Sequence, residues 1–283
     1  TIFCMWATLL SFGPIAVHSF GVMIFLGIFV GGFVWWQKGR EENFDEEPLM
    51  DVLLSSLIVS MIVGRVWYLF SNWSQFAGSF YKMIFITKFP GISYEGVVLG
   101  GVLSLGFFAY KKSFDVWKIL DLSVLSLLVI EIFAYGGSFL AGSNLGTQTN
   151  LFFGVPFPGI EGKRYPVQLV FVLLLGGLYK LFKKLEKEYR NFKWYSSSKG
   201  EAKPGFMIGS YLIGLGLVHT VLGFISEVNN LYFSFGMVFL GVLLLVVRSG
   251  IKMKSREPKK VVEVKVETHR KLKKRKKKGF DFK

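Results

Sequence analysis

The sequence predicts an all-α, polytopic membrane protein with about seven transmembrane helices, and three observations lead to this fold class. Of its 283 residues, 52% are hydrophobic and 17% are aromatic, a composition that is rare in soluble domains. Runs of about 20 apolar residues with few charges recur along the chain, and that length crosses a bilayer. Basic residues gather in alternate loops between these runs, as in membrane proteins. A soluble globular fold is therefore disfavoured.

Seven apolar runs define the predicted helices, and several of them end in aromatic residues such as Trp35 and Trp36. Aromatic side chains at these positions are typical of the membrane–water interface. The segment Ser71–Pro90 mixes aromatic and basic residues, which favours a segment lying on the membrane surface or dipping into it. The predicted spans are Ile15–Trp36, Val52–Phe70, Gly96–Tyr110, Ile119–Ala134, Val167–Phe182, Phe206–Ile225 and Leu231–Val247.

The distribution of Lys and Arg predicts the orientation of the chain. The loops after the first and third spans are basic, and the loop after the fifth span, residues 183–203, carries seven basic residues. The intervening loops together carry four: Lys82, Lys88, Lys163 and Arg164. Because basic loops stay in the cytoplasm, we expect the N-terminus outside and the C-terminus inside. In a bacterium this corresponds to a multi-pass protein of the cytoplasmic (inner) membrane.

The charge is concentrated at the C-terminus, so the sequence divides into a membrane domain, residues 1–247, and a basic tail, residues 248–283. The tail holds sixteen Lys/Arg against four Asp/Glu and few large apolar residues, so we expect it to be disordered. Its simplest role is to stay near anionic lipid, at about 1 kcal/mol per basic residue. A basic run also binds nucleic acid without specificity, and no specific nucleic-acid partner is expected.

Cofactor chemistry and leader sequences have little support in the sequence. One cysteine, Cys4, excludes an internal disulfide and a cysteine-based metal cluster, and we expect no metal or cofactor. Thr1–Leu10 is short and apolar without a basic flank, which is not the pattern of a cleaved signal peptide.

The glycine-rich stretch Glu131–Gln168 is the predicted centre of function. It lies between two predicted spans and contains Gly136, Gly137, Gly142 and two Pro-containing turns. Glycine allows a ligand to approach the main chain, and irregular backbone near the membrane is tolerated where it lines a wet cavity. We therefore expect a polar pocket here, at the edge of the membrane domain.

Ionisable residues inside the spans are candidates for function, because a charge at the centre of a helix costs about 2.5–3.5 kcal/mol on insertion scales. Arg65 either pairs with a carboxylate to hold helices together or acts in a site. Glu131 is either that partner or an acid of the pocket. His219 is either a hydrogen-bonded packing residue or a functional group. Asp121, near a helix start, is interpreted as a cap.

Three further residues stand at membrane entry points. Glu95 precedes Gly96 where the chain enters the third span, and such a carboxylate is either a general base or simply exposed. Arg164 and Gln168 are four residues apart. If the helix already includes Arg164, both side chains face one way and offer donors to a phosphate or carboxylate.

Five stretches, in order, resemble motifs of the bacterial prolipoprotein diacylglyceryl transferase family. PIAVHSFGVMIFLG resembles the first-span motif, and GRVWYLF resembles Gly-Arg-x-x-Tyr. PGISYEGVVLGG resembles the entry loop, GGSFLAGSNLGT the glycine-rich signature, and RYPVQL resembles Arg-His-Pro-Ser-Gln-Leu. The resemblance covers the membrane domain but not the tail. The stretches are Pro14–Gly27, Gly64–Phe70, Pro90–Gly101, Gly136–Thr147 and Arg164–Leu169.

The resemblance implies an enzyme that moves diacylglyceryl from phosphatidylglycerol, or another anionic phospholipid, to the lipobox cysteine in the signal peptide of a prolipoprotein. Glycerol phosphate leaves. By this resemblance, Glu95 is the base and Gln168 orients the phosphate. Arg65, Arg164 and His219 lie near the phosphate. The signature positions Tyr135, Gly137 and Ser138 contribute to lipid or phosphate binding.

The chain departs from the family motifs at several positions. Glu95 stands where the family has His, and a carboxylate also accepts a proton. Tyr135 stands where the signature has Arg, and losing a charged donor to a developing anion typically costs ~2.7–4 kcal/mol. Arg65, Arg164 and Gln168 match. The other departures are Phe20 for Tyr, Val97 for Gly, Ser138 and Ala141 for Asn, Ser143 for an acid, His219 for Arg, Gly223 for Glu and Ser226 for Arg.

Three functional hypotheses remain at this point. The first is an active, divergent lipid-to-protein transferase that takes part in lipoprotein biosynthesis. The second is a catalytically impaired relative, a pseudoenzyme, that binds phospholipid or a membrane partner. The third is an unrelated transporter or channel, which is the weakest because no inverted repeat is visible in the sequence.

Overall fold

The computed structural model describes residues 8–12, 15–85, 88–189, 195, 203–227 and 230–249. The described residues are mostly helical, and seven helices in them have 18 or more residues. The long helices are α1 (Ser19–Glu41), α2 (Glu46–Ser71), α5 (Tyr94–Lys111), α6 (Val116–Ala141), α7 (Val167–Glu188), α8 (Phe206–Gly223) and α9 (Leu231–Ser249). Each predicted span coincides with one of them.

Five of these helices are long and apolar enough to cross a membrane: α1, α2, α6, α8 and α9. This confirms an all-α membrane protein. The first predicted span was wrong at its start, because Ile15–His18 forms strand β2, paired antiparallel with β1 (Thr8–Phe12), and the helix begins at Ser19. The last helix continues two residues past its predicted end at Val247. From Gly250 onward, the predicted tail lies outside the described residues.

The segment predicted not to cross the membrane contains two short helices, α3 (Trp73–Phe76) and α4 (Phe80–Ile84). Phe80 is 75% exposed and Trp73 is 54% exposed. Four or five residues make about one turn, which is far too short to cross a bilayer.

Helix α6 lies at the centre of the bundle and packs against α1, α5, α7 and α8. Its ends follow from the sequence. The Asp115 side chain caps the first turn by accepting from the Trp117 and Lys118 amides. Gly142 closes the last turn with φ +66°, a left-handed conformation that glycine adopts readily.

A glycine lets α1 approach this central helix closely. A Cβ atom added at Gly31 would lie 2.7 Å from Cγ1 of Ile130 and 3.0 Å from the Ser126 carbonyl oxygen. The Ser126 hydroxyl donates to the Gly31 carbonyl at 2.7 Å, which ties the two helices together. Small residues and hydroxyl contacts are the usual basis of helix packing in membranes.

The glycine-rich stretch between α6 and α7 folds back over one end of the bundle. It contains a two-stranded hairpin, β3 (Val155–Pro156) and β4 (Lys163–Arg164). The Thr147 amide donates to the Ile225 carbonyl at 2.9 Å, so the stretch is joined to the end of α8.

The long helices alternate in direction, and we name the two ends of the bundle after one residue each. The Glu95 end holds the N-termini of α1, α5, α7 and α9 and the C-termini of α2, α6 and α8. The Lys38 end holds their opposite termini. The glycine-rich stretch covers the Glu95 end.

Candidate functional site at the Glu95 end

Glu95 lies in the first turn of α5, where the helix dipole favours a negative charge. Both of its carboxylate oxygens are hydrogen-bonded. Asn230 Nδ2 donates to Oε1 at 2.6 Å, and the Ser93 hydroxyl donates to Oε2. The carboxylate is also close enough to His219 to interact with it electrostatically. Glu95 is therefore a fixed, half-buried acceptor rather than a freely exposed side chain.

His219 meets Tyr135, and these are two positions where the resembled family has Arg. Tyr135 Oη lies 3.3 Å from His219 Nε2. The Tyr135 ring stacks on Phe171, with centroids 4.0 Å apart, and Phe171 also packs against the imidazole at 4.9 Å. The two positions that depart from the resembled motifs are therefore neighbours in space, and they form a polar pair enclosed by aromatic rings.

Glu131 is buried in α6 and is held by two tyrosines. Oε1 accepts from Tyr211 Oη at 2.9 Å and from Tyr94 Oη at 3.1 Å. Oε2 is buried and has no hydrogen-bond partner among the described residues. The interpretation that Glu131 pairs with Arg65 is wrong, because tyrosine hydroxyls occupy the carboxylate and Arg65 bonds elsewhere.

Arg65 binds main-chain carbonyls. Its guanidinium donates to Lys82 O at 3.1 Å, to Met83 O at 3.2 Å and to Gly91 O at 2.8 Å. It also lies over the rings of Tyr68 and Phe76, at 5.8 and 5.5 Å. Arg65 thus holds the segment that leads into α5. Its role near a phosphate stays a prediction, and its hydrogen bonds in the described part of the chain include none to Glu95.

Arg164 and Gln168 both bind the glycine-rich stretch, though not from one helix. Arg164 lies in β4 and α7 begins only at Val167, so the expectation that a shared helix aligns the two is wrong. Arg164 Nη1 donates to Gly146 O at 3.3 Å and forms an ion pair with Glu227. Gln168 Nε2 donates to Ser143 O at 2.7 Å. Arg164 Nε and Gln168 Oε1 are buried without a hydrogen-bond partner among the described residues.

Gly137 and Ser138 lie in the last turns of α6 and support this arrangement. A Cβ atom at Gly137 would lie 2.8 Å from Cβ of Met23, so glycine permits the contact with α1. Ser138 is buried, and its hydroxyl accepts from Asn144 Nδ2 at 3.2 Å. Both residues support packing at the Glu95 end, and their contact with a ligand stays a prediction.

Sequence reasoning missed four side chains that contact the predicted residues: Tyr94, Tyr211, Glu227 and Asn230. Glu227 and Asn230 come from the connection between α8 and α9, and they reach Arg164 and Glu95 respectively. Asn230 is 135 residues from Glu95 in sequence, so no local pattern joins them. The one signal for the tyrosines was Glu131 itself, because a buried carboxylate needs partners.

Within the described residues, no three His, Cys, Asp or Glu side chains gather in a way that suits a metal ion. The arrangement instead offers a carboxylate acceptor at Glu95, a cation at Arg164 and neutral donors at Tyr135 and Gln168. Those groups suit proton transfer next to an anionic ligand.

Comparison with known proteins identifies related enzymes. The phosphatidylglycerol–prolipoprotein diacylglyceryl transferase of Caldanaerobacter subterraneus subsp. tengcongensis is 29% identical over 58% of this chain and 60% of its own length. That of Shouchella clausii is 26% identical over 59% of this chain and 58% of its own length. That of Prochlorococcus marinus subsp. pastoris is 24% identical over 73% and 74%.

The chain spans about three fifths of the length of the first two relatives. A family model described as prolipoprotein diacylglyceryl transferase matches residues 7–252, which include every long helix described above. The chain therefore belongs to the prolipoprotein diacylglyceryl transferase family.

Proposed function

We propose that this chain transfers diacylglyceryl from phosphatidylglycerol to the thiol of a lipobox cysteine in a prolipoprotein. The names of its relatives state this donor and this acceptor. The observation that carries the proposal is Glu95, held by Ser93 and Asn230 at the membrane entry of α5. At the position of the family's His, it is an oriented proton acceptor in a polar site.

In this reaction Glu95 removes the proton from the cysteine thiol. The thiolate sulfur attacks the glycerol carbon that carries the phosphate, and a C–S bond forms as the C–O bond breaks. The electron pair of that bond leaves with glycerol phosphate, whose negative charge increases by one unit because the phosphodiester becomes a monoester. The proton on Glu95 then passes to the leaving phosphate or to water. No oxidant, metal or cofactor takes part in this balance.

The phosphate requires donors, and Arg164 is the main candidate. Its Nε is buried without a described partner, while Nη1 binds Glu227. A phosphate oxygen arriving at Nε receives a charge-assisted hydrogen bond without first breaking that ion pair. Gln168 supplies a neutral donor close by, and so does either Tyr135 or His219, which share one hydrogen bond. Arg65 contributes by fixing the segment before α5, in addition to any contact with the phosphate.

The membrane topology belongs to the same proposal: seven crossings, with the Glu95 end outside and the Lys38 end in the cytoplasm of a bacterial inner membrane. Residues 1–247 form the transferase domain, and the basic tail follows inside. Support comes from the charges, because Lys38, Arg40 and Lys112 lie at the end opposite Glu95. A signal peptide emerging on the outer face reaches Glu95 from that side.

Liposomes test the proposal. Purified full-length chain is reconstituted with labelled phosphatidylglycerol and a lipobox peptide, and mass spectrometry detects the thioether product. We expect product with the wild type and with Glu47→Gln, a control acid that is exposed at the Lys38 end. We expect almost none with Glu95→Gln. Lipid binding without any thioether product in the wild type would contradict the proposal and indicate a relative that only binds lipid.

A further inference from the structure

Glu131 is a buried carboxylate that the proposed reaction does not use. It lies within a predicted membrane span, where an ionisable group is costly. It has no cation partner among the described residues, because its hydrogen bonds come from Tyr94 and Tyr211. An ionisable group buried inside a membrane span without an ion pair is therefore a candidate for a functional role.

Its two tyrosine partners differ in what lies beyond them. Tyr211, in α8, packs edge-on against Phe182 with centroids 6.5 Å apart, deep in the helix bundle. Tyr94 immediately precedes Glu95. Its ring stacks on His219 at 5.1 Å with an interplanar angle of 23°. The hydrogen bond from Tyr211 therefore connects Glu131 to the core, and the one from Tyr94 connects it to the residues of the candidate site.

The second contact of His219 starts from the same face of α6. Tyr135 is four residues after Glu131, about one helical turn, and its hydroxyl lies 3.3 Å from His219 Nε2. The imidazole thus lies between the Tyr94 ring, which Glu131 holds, and the Tyr135 hydroxyl. Glu131 and Tyr135 together fix the position of His219 beside Glu95.

We infer that Glu131 is a positioning residue of the transfer reaction, acting through Tyr94. Its carboxylate oxygen accepts the Tyr94 hydroxyl, which orients the ring against His219 and fixes the helix turn that presents Glu95. This inference rests on the proposed function for its kinetic consequence, but the hydrogen bond can be tested in the resting protein.

Kinetics of three variants separate positioning from mere packing. We expect Glu131→Gln and Tyr94→Phe each to lower kcat roughly 10- to 100-fold, because misplacement of reacting groups by about 1 Å has effects of this size. KM for the lipid stays within about twofold, because neither group touches the lipid. Tyr211→Phe is the matched control, since it removes the other hydrogen bond to the same oxygen. We expect it to leave kcat nearly unchanged.

The double variant Glu131→Gln/Tyr94→Phe tests whether the two residues act as one unit. If they do, it is no slower than the slower single variant. Fully multiplicative losses overturn the inference, as does an equal fall in kcat for Tyr211→Phe and Tyr94→Phe.

A readout without activity keeps the inference separate from the proposed function. Fluorotyrosine is placed at position 94, and its fluorine NMR signal is recorded in detergent micelles. We expect Glu131→Gln to shift and broaden this signal, while Glu47→Gln leaves it in place. An unmoved signal in Glu131→Gln overturns the inference. If the wild type does not transfer diacylglyceryl, the proposed function is wrong. The fluorine signal still tests whether Glu131 positions Tyr94, because it does not depend on transfer.

Discussion

The two ends of the helix bundle treat their charged and polar groups differently. At the Lys38 end, Lys38 bonds Glu41 at 2.6 Å and Glu186 at 2.9 Å, and Lys112 bonds Asp51 at 2.7 Å. At the Glu95 end, three buried polar atoms lack a hydrogen-bond partner among the described residues: Glu131 Oε2, Arg164 Nε and Gln168 Oε1. A further such atom, Ser56 Oγ, lies in the N-terminal half of α2, towards the Lys38 end.

We interpret this difference as a division between stability at the Lys38 end and, under the proposed function, chemistry at the Glu95 end. Buried polar atoms are nearly always hydrogen-bonded, because leaving one unsatisfied costs about 1–3 kcal/mol. The three such atoms at the Glu95 end are therefore candidates for hydrogen bonds to a ligand. Substitutions at the Glu95 end are expected to lower transfer, and substitutions at the Lys38 end are expected to lower stability.

The largest expected effect is the loss of the Glu95 carboxylate. Glu95→Gln keeps the size of the side chain but removes the proton acceptor, so we expect the transfer rate to fall about 10²- to 10⁴-fold. Glu95→His, which restores the residue of the resembled motif, is expected to recover part of that loss. Initial rates in liposomes measure both. A rate for Glu95→Gln equal to that of the wild type would remove Glu95 from the reaction.

The next effect concerns the phosphate donor. Arg164→Ala is expected to lower kcat/KM by about 10²- to 10³-fold, the usual cost of losing one donor to a developing anion. Lys163→Ala is the matched control, because Lys163 is the preceding residue of β4 and its side chain points to the opposite, exposed face. Equal losses in the two variants would show that only the general positive charge of the hairpin matters.

At the opposite end we expect a change in stability rather than in rate. Asp121 accepts from the Gly205 amide at 2.6 Å and from the Ile208 amide at 2.9 Å, so it caps α8 from across the bundle. Asp121→Ala leaves those amides unpaired, and we expect the free energy of unfolding to fall by about 1–3 kcal/mol. Denaturant titration in detergent measures this. If Asp121→Ala instead lowered the transfer rate per folded molecule strongly without loss of stability, the proposed difference between the two ends would be wrong.

The smallest effect is expected at an exposed ion pair of the Lys38 end. Lys184 and Glu188 are 3.8 Å apart, and their side chains are 74% and 52% exposed. Lys184→Gln should change the free energy of unfolding by less than about 0.5 kcal/mol, because solvent screens such pairs. The same titration checks this. A loss as large as that of Asp121→Ala would show that solvent exposure does not determine how much these interactions contribute to the free energy of unfolding.

The helices were predictable because a bilayer imposes one simple requirement, namely a long apolar run. All seven predicted spans coincide with long helices for that reason. The start of the first span was not predictable in the same way, since apolar residues such as Ile15 and Val17 suit a strand as well as a helix. The hairpin between α6 and α7 depends on turns and on contacts with α8 that no periodicity encodes.

The sequence identified several residues of the candidate site but few of the contacts that they make. Glu95, His219 and Tyr135 were identified from the sequence, and the structure brings them together. Arg65 was also identified, but its carbonyl partners were not, because a lone Arg in a span suggests a carboxylate first. Tyr94 and Tyr211 looked like ordinary aromatic residues of apolar helices, and only their shared contact with Glu131 distinguishes them.

One paired measurement tests the difference between the two ends most directly. Transfer rate per folded molecule and free energy of unfolding are measured for Glu95→Gln and Asp121→Ala in the same preparation. We expect Glu95→Gln to lose transfer while nearly keeping the stability of the wild type, and Asp121→Ala to lose stability while keeping transfer. The reverse pattern, or the same pattern in both variants, would contradict the assignment of chemistry to the Glu95 end.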